Sequence, residues 1–386
     1  MPVIADMRRK ISRLLVLAVF LFGLVPAVAA AYVPAGFIGM APQGPTSAKD
    51  YELMRKAGIR NVRMPLNWAE IEPEDPYFFP QNWAHFDRVV ELAAEAGLQV
   101  MPVVLGTPKW VAPESTVLPV FSPWQRRGWA RFLRDAVARY GPEGEFWEDH
   151  VKLDYLPFER WEIWNEENIV SFSSEPNPAA FARLVRISGR ALHGADPESE
   201  VLLGGLFGRP LQIPPNVGSG NFLQRLYRAG NVRPYFDAVA LHPYVADAHA
   251  MAAQLRNLRR IMRLHHDGYK KLYVTELGWG SQSGPTRWQR GLRGQADQLS
   301  KAFAILSANR VRWRIGGAWW FSWADAEGGC SFCTSAGLLT ENREAKPSWY
   351  RFNEWTGGNP DTVPRLNLHG EAGEVEVAEE AGVGGD

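Results

Sequence analysis

With 386 residues, 46% of them hydrophobic and 22% charged, the chain can bury a large core, as two average domains or one large α/β barrel. Lysine and arginine balance aspartate and glutamate to a formal net charge of zero, which removes the electrostatic case for a nucleic-acid partner. The anomaly is aromatic: 16 Trp, 11 Tyr and 19 Phe, which either fill a core or offer flat faces to a ligand.

In chain order, Arg8, Arg9, Lys10 and Arg13 precede an apolar run over residues 14–25, followed by Pro26 and Ala27-Val28-Ala29. A basic start, a short apolar run and small residues form an export signal, placed here at residues 1–31. An uncleaved anchor is the other reading, but a run of about 12 residues is short for crossing a bilayer. From residue 36 strand and helix patterns alternate. Strands are expected at 37–40, 61–66, 99–105, 160–164, 201–206, 236–241, 271–275 and 315–321. Helical spacing or caps mark segments starting at Ser47, around Phe86, at Pro123, around Phe181, around Asn221, at Ala250, around Leu299 and at Ser348. Eight strand–helix units at a spacing of roughly 35 residues fit a closed (β/α)8 TIM barrel over residues 32–360. A doubly wound open sheet is the runner-up, weakened because no Gly-rich phosphate loop follows the first strand. After Arg365 there are six acidic residues and no Lys or Arg, so 361–386 reads as an acidic, disordered tail.

Two strand ends carry chemistry. Trp161-Glu162-Ile163-Trp164-Asn165-Glu166-Glu167-Asn168 begins as a buried strand and ends in carboxylates and amides. Leu272-Tyr273-Val274-Thr275-Glu276-Leu277 places one glutamate among apolar residues. Either glutamate alone reads as a salt-bridge partner or a solvated group. Together, at the C-terminal ends of the fourth and seventh strands, Glu166 and Glu276 share a face with Arg63, His242, Tyr244 and several tryptophans. Two such carboxyl groups are what acid-assisted cleavage of a glycosidic bond requires: one protonates the leaving oxygen, the other attacks or activates water.

These residues resemble clan A of the glycoside hydrolases, the retaining (β/α)8 glycosidases, with families 5 and 39 nearest. Asn165-Glu166 resembles the clan's Asn-Glu pair after the fourth strand, Glu276 its seventh-strand nucleophile, Arg63 its second-strand arginine and His242-Pro243-Tyr244 its sixth-strand His and Tyr. Asn67-Trp68-Ala69-Glu70-Ile71-Glu72-Pro73 resembles its second loop. The resemblance spans most of residues 36–356. It implies that Glu166 is the acid/base and Glu276 the nucleophile, held ionised by Arg63 and Tyr244. It implies that Asn165 donates to a sugar 2-hydroxyl and that His242 orients Glu276, bonds a sugar or is a satisfied barrel histidine. Trp320 and Trp323 would form a stacking floor, with one of Trp319 and Trp320 facing outward because strand neighbours alternate. Trp68 and Trp110 would line outer subsites, and Glu167 would serve structure.

The chain is thus expected to be an exported, monomeric β-glycoside hydrolase acting on oligo- or polysaccharide, without metal or cofactor and without a membrane span once the signal is removed. A carbohydrate-binding barrel without catalysis and a transglycosylase are the alternatives. Cys330-Ser331-Phe332-Cys333 reads as a short disulfide in preference to a metal or redox site, since export favours it and no further ligand cluster accompanies it.

Overall fold

The computed structural model describes residues 33–44, 46–209 and 213–367. The expected export signal and the part of the expected acidic tail from residue 368 lie outside them. Strands β1 (Ile38–Met40), β2 (Asn61–Asn67), β3 (Gln99–Leu105), β4 (Arg160–Asn165), β5 (Glu200–Phe207), β6 (Ala238–His242), β7 (Lys271–Leu277) and β8 (Ile315–Trp320) follow one another round a closed barrel. All pairs are parallel, and β8 closes on β1 through Ile38–Ala318, Gly39–Trp319 and Met40–Trp320. Helices α1 (Ala48–Lys56), α2 (Trp68–Ile71), α3 (Ala84–Glu95), α4 (Pro123–Tyr140), α5 (Glu145–Asp149), α6 (Pro178–Ala195), α7 (Ser219–Arg228), α8 (Ala248–Leu264), α9 (Gly291–Trp313) and α10 (Pro347–Thr356) occupy the connections and the closing segment. This is the expected (β/α)8 architecture. Among the described residues no helix is long and apolar enough to cross a membrane.

Local chemistry sets the helix starts. Ser47 and Asp50 cap each other's backbone amides at α1, and Ser122 and Gln125 do the same at α4, where Pro123 fits the first turn. The Asn177 side chain accepts from the amides of Ala179 and Ala180 at α6.

The tryptophans divide by strand parity. Trp319 points into the barrel with Met101, Leu202, Ala238, Ala240 and Tyr273. A Cβ on Gly39 would lie 2.4 Å from the Trp319 Nε1, so the facing strand carries glycine there. Trp161, Trp164, Trp279, Trp320, Trp323 and Trp349 belong to the layer between strands and helices. Most of the aromatic excess is therefore core, with each large indole removing apolar area from water.

The folded chain continues beyond residue 360, where composition placed the start of the tail. The amide of Ala345 donates to the carbonyl of Pro364 at 2.7 Å, and the amide of Leu366 donates to Ala345 at 3.3 Å.

Asp50 ties α1 to the loop after β8. Its buried carboxylate accepts from the Trp323 indole and from Arg343, both at 2.8 Å. Burial pushes its pKa up, but the hydrogen bonds from Arg343, Ser47 and Trp323 outweigh this and hold it at about 2, below the ordinary 3.8. A lowered folded-state pKa contributes stability that is complete above the unfolded value and is lost as pH falls through the folded one. Asp50→Ala should cost on the order of 2 kcal/mol at neutral pH. The difference from wild type in urea denaturation should close as pH drops from about 4 to about 2.

Candidate active site

Charge in the interior of β4 organises the site. Glu162 is fully buried, and an isolated carboxylate there would be prohibitively costly. Arg63, from β2, answers it with Nε to Oε2 at 2.7 Å and Nη2 to Oε1 at 3.2 Å. The remaining donors of the same guanidinium reach Asn165 Oδ1 and Glu276 Oε1, each at 2.7 Å. One planar fork thus fixes groups from β4 and β7. Burial acts to lower the Arg63 pKa, but Glu162 and Glu276 raise it further, so the group is charged throughout the working range.

Glu162 and Asn165 are three residues apart and would face opposite sides of a regular strand. Between them Trp164 has φ of 69°, and Glu166 after them has φ of 43°. These left-handed conformations cost non-glycine residues on the order of 1–3 kcal/mol. They turn the Trp164 indole out to Phe172 and Trp129 and bring Asn165 and Glu166 to the barrel mouth.

Glu166 is paired with His242 at the end of β6, Oε1 to Nδ1 at 2.8 Å. The other ring nitrogen lies 3.0 Å from Thr275 Oγ1, and that hydroxyl is 3.1 Å from Glu162 Oε1. His242 is fully buried, and burial drives its pKa below the ordinary value, so the ring is neutral and one nitrogen donates while the other accepts. The single Thr275 proton goes to Glu162, so Thr275 Oγ1 accepts from Nε2. The ring proton is therefore assigned to Nε2, and Nδ1 accepts from the Glu166 carboxyl proton, which favours the protonated acid.

On the opposite side Tyr244 donates to Glu276 Oε2 at 2.5 Å. Burial and the Glu276 charge raise the tyrosine pKa well above 10, so it remains a donor. Burial raises the pKa of both catalytic-type carboxyls. On Glu276, Arg63 and Tyr244 oppose that rise, so of the two it is Glu276 that retains the charge and Glu166 the proton. Oxygens of Glu166 and Glu276 and a nitrogen of His242 lie within 4.8 Å of one another. A cation has the ligand types there, but Arg63 already pairs with Glu276 at 2.7 Å and repels a second positive charge.

Arg63, Asn165, Glu166, His242, Tyr244 and Glu276 therefore share one site. His242 bonds Glu166 and Thr275 and has no accessible surface for a sugar; it lies 3.6 Å from Glu276. The indoles expected around the site are elsewhere. Trp320 is fully buried against Trp279 and Phe303, because its parity sends it outward. Trp323 donates to Asp50 and packs edge-on to Trp349. Trp68 is fully buried among Trp110, Trp129 and Phe132 and donates to Glu72, so it lines no subsite. Trp110 is half-buried, with its indole bonded to the Glu72 carbonyl. Glu167 is fully buried with neither oxygen paired among the described residues, and burial pushes its pKa well above the ordinary value. Its neighbour Asn168 joins the loops after β4 and β5 through Phe207 and Val217.

The aromatic wall is built from residues that sequence reasoning missed. Phe207, Phe321 and Phe332 surround the Tyr244 ring at centroid distances of 5.7, 6.2 and 5.1 Å, and Trp288 lies 5.7 Å from Phe332. Phe332 is held in the loop closed by the Cys330–Cys333 disulfide. Glu162 and Thr275 were also missed. Glu162 left a signal, a charge at an inward strand position that requires a buried partner, and β2 supplies one arginine.

The family model for family 42 glycoside hydrolases, described as beta-galactosidase, matches residues 42–118, the part that contains Arg63 and Trp68. A family 39 glycoside hydrolase from the gut symbiont Bacteroides cellulosilyticus WH2 is similar in structure, with a TM-score of 0.62 and 18% identity over 86% of this chain and 65% of that one. A family 39 β-xylosidase from Caulobacter crescentus gives a TM-score of 0.57 at 19% identity, over 84% of this chain and 72% of that one. Native xylanase 10B from Thermotoga maritima gives 0.58 at 16% identity, over 84% of this chain and 95% of that one. The chain thus spans about two thirds of the Bacteroides protein. No curated protein matches the sequence. In fold, and in the segment the family model covers, the chain resembles the clan A glycoside hydrolases.

Removing one partner of a buried ion pair strands the other charge. Arg63→Met should destabilise the protein by about 3–5 kcal/mol in chemical denaturation, because Glu162 keeps no cation. Adding Glu162→Gln should recover much of that loss, whereas Tyr244→Phe should not.

Proposed function

We propose that the protein is a retaining β-glycoside hydrolase working by double displacement. The approach of Glu166, His242 and Glu276 atoms to within 4.8 Å of one another carries this reading. Retaining enzymes hold their carboxyl groups about 5–5.5 Å apart, whereas inverting ones need roughly 6.5–9.5 Å to admit water. The two environments also differ in the required sense. Arg63 and Tyr244 favour charge on Glu276, and the neutral His242 together with burial favours a proton on Glu166.

In the first step a Glu276 oxygen bonds to the anomeric carbon as the bond to the leaving oxygen breaks. Glu166 transfers its carboxyl proton to that oxygen. In the second, Glu166, now ionised, takes a proton from water as the water oxygen replaces Glu276 on the same carbon. Asn165 is fixed by Arg63 through Oδ1, and its Nδ2 is the donor suited to the sugar 2-hydroxyl. Phe207, Phe321, Phe332 and Trp288 supply the apolar faces that the tryptophans of β8 do not. Similar structures described as β-xylosidase, xylanase and exo-β-1,4-mannosidase favour a β-linked, pyranose-containing glycan as substrate. The N-terminal basic and apolar run and the Cys330–Cys333 disulfide support export.

Glu166→Ala should slow substrates with poor leaving groups by about 10²–10⁴-fold, and slow the first step on activated aryl glycosides far less. Wild-type kcat/KM should fall at low pH as Glu276 protonates and at high pH as Glu166 ionises. Both limbs should lie above the ordinary glutamate range because burial raises both groups. The high-pH limb should vanish for Glu166→Ala with an activated substrate. Equal losses on both substrate types in a folded variant would remove Glu166 from the acid role.

A further inference from the structure

Away from the barrel mouth, the C-terminal half of α8 reads Arg256-Asn257-Leu258-Arg259-Arg260-Ile261-Met262-Arg263. Spacings of three, four and seven put these four arginines on neighbouring turns, where like charges repel. Together with Arg312 and Trp313, from the end of α9, and Leu264 they line a cavity of about 350 Å³. The lining includes no carboxylate. The nearby Asp267 is committed to Arg233 and Lys270.

Helix C-termini attract cations, and that alone accounts for an arginine or two at such a place. Arg259 is a different case. It is only 2% exposed, and its Nη1 donates to the carbonyls of Gly268 and Lys270 at 3.3 and 2.9 Å. Its Nε and Nη2 are buried and find no acceptor among the described residues. A buried guanidinium with one edge anchored and two donors unpaired carries a desolvation cost that an oxyanion bonded at that edge would relieve. The other four side chains have no ion-pair partner among the described residues. Arg260 bonds Asn257, Arg263 bonds the carbonyl of Arg312, and Arg256 lies 6.0 Å from the Trp313 ring.

We propose that this cavity is a binding site for a phosphate-type oxyanion, with Arg259 as its fixed floor and Arg256, Arg260, Arg263 and Arg312 as its mobile rim. Five guanidiniums call for a multiply charged group, and the volume leaves room for what the phosphoryl group is attached to. Because α8 descends from the mouth after β6, its C-terminal half lies toward the opposite end of the barrel. Occupancy would therefore anchor or tether the protein without blocking Glu166 and Glu276. The exposed Leu264 on the lining and Val311 beside Arg312 give the rim an apolar edge. The oxyanion could belong to a soluble phosphorylated compound or to a lipid headgroup.

The test uses the full chain in two arms. In one, inorganic phosphate and pyrophosphate are titrated by calorimetry. In the other, the protein is sedimented with vesicles of phosphatidylcholine containing phosphatidylglycerol, against phosphatidylcholine alone. The variants are Arg259→Met and, because a core change can impair folding, the exposed double variant Arg256→Ser/Arg263→Ser. Wild type should bind pyrophosphate or the anionic vesicles at least about tenfold more tightly than the double variant, with affinity falling as salt rises. Saturation with pyrophosphate identifies a soluble ligand, and binding confined to phosphatidylglycerol vesicles identifies a headgroup. Hydrolysis of an aryl glycoside should be unchanged in the double variant, so this site and the catalytic reading stand or fall separately. Wild type and double variant that bind neither probe differently would overturn the proposal.

Discussion

The Arg63 guanidinium bonds β2 to β4 and β7 through Glu162, Asn165 and Glu276, and the rest of the mouth depends on that connection. A buried cation is tolerated because two carboxylates surround it, and the carboxylates are tolerated because it is there. The pairing does more than hold charge. It sets the direction of the Asn165 amide, fixes one oxygen of Glu276 and leaves the other to Tyr244. On the far side, Glu162 receives the Thr275 hydroxyl, which also faces His242, so Arg63 and Glu166 stand at two ends of one polar chain. Strain at Trp164 and Glu166 is sustained by these bonds, since the backbone turn is what brings Asn165 to Arg63.

The two glutamates are the same residue in different surroundings. Glu276 has a permanent cation and a phenol donor; Glu166 has a neutral imidazole. Glu166 is buried and Glu276 only slightly exposed, so the difference in charge preference follows mainly from their partners.

Much of this was legible in the sequence. The eight-fold alternation, the cap at Ser47, Pro123 in a first helical turn and the strand-end positions of Glu166 and Glu276 come from local rules of period and capping, and the barrel obeys them. What local rules could not supply was direction. Trp320 was assigned to the mouth by its position at a strand end, but parity turns it outward; Phe321, one residue later, faces Tyr244 instead. The sequence offers Trp323 as part of a stacking floor and Trp68 as an outer-subsite residue, yet each makes an indole hydrogen bond, to Asp50 and Glu72, that secures it in the helix layer. Phe207 ends β5, whereas Phe332 and Trp288 come from two separate loops, and the three meet only in three dimensions, so no spacing announces them.

The central claim, that Glu276 attacks the anomeric carbon and Glu166 serves first as acid and then as base, is tested most directly by the stereochemistry of the first product. Proton NMR during hydrolysis of an aryl β-glycoside, recorded before mutarotation, should show the β-anomer appearing first. An α-anomer as the first-formed product would contradict the double displacement and the assignment of Glu276 as its nucleophile.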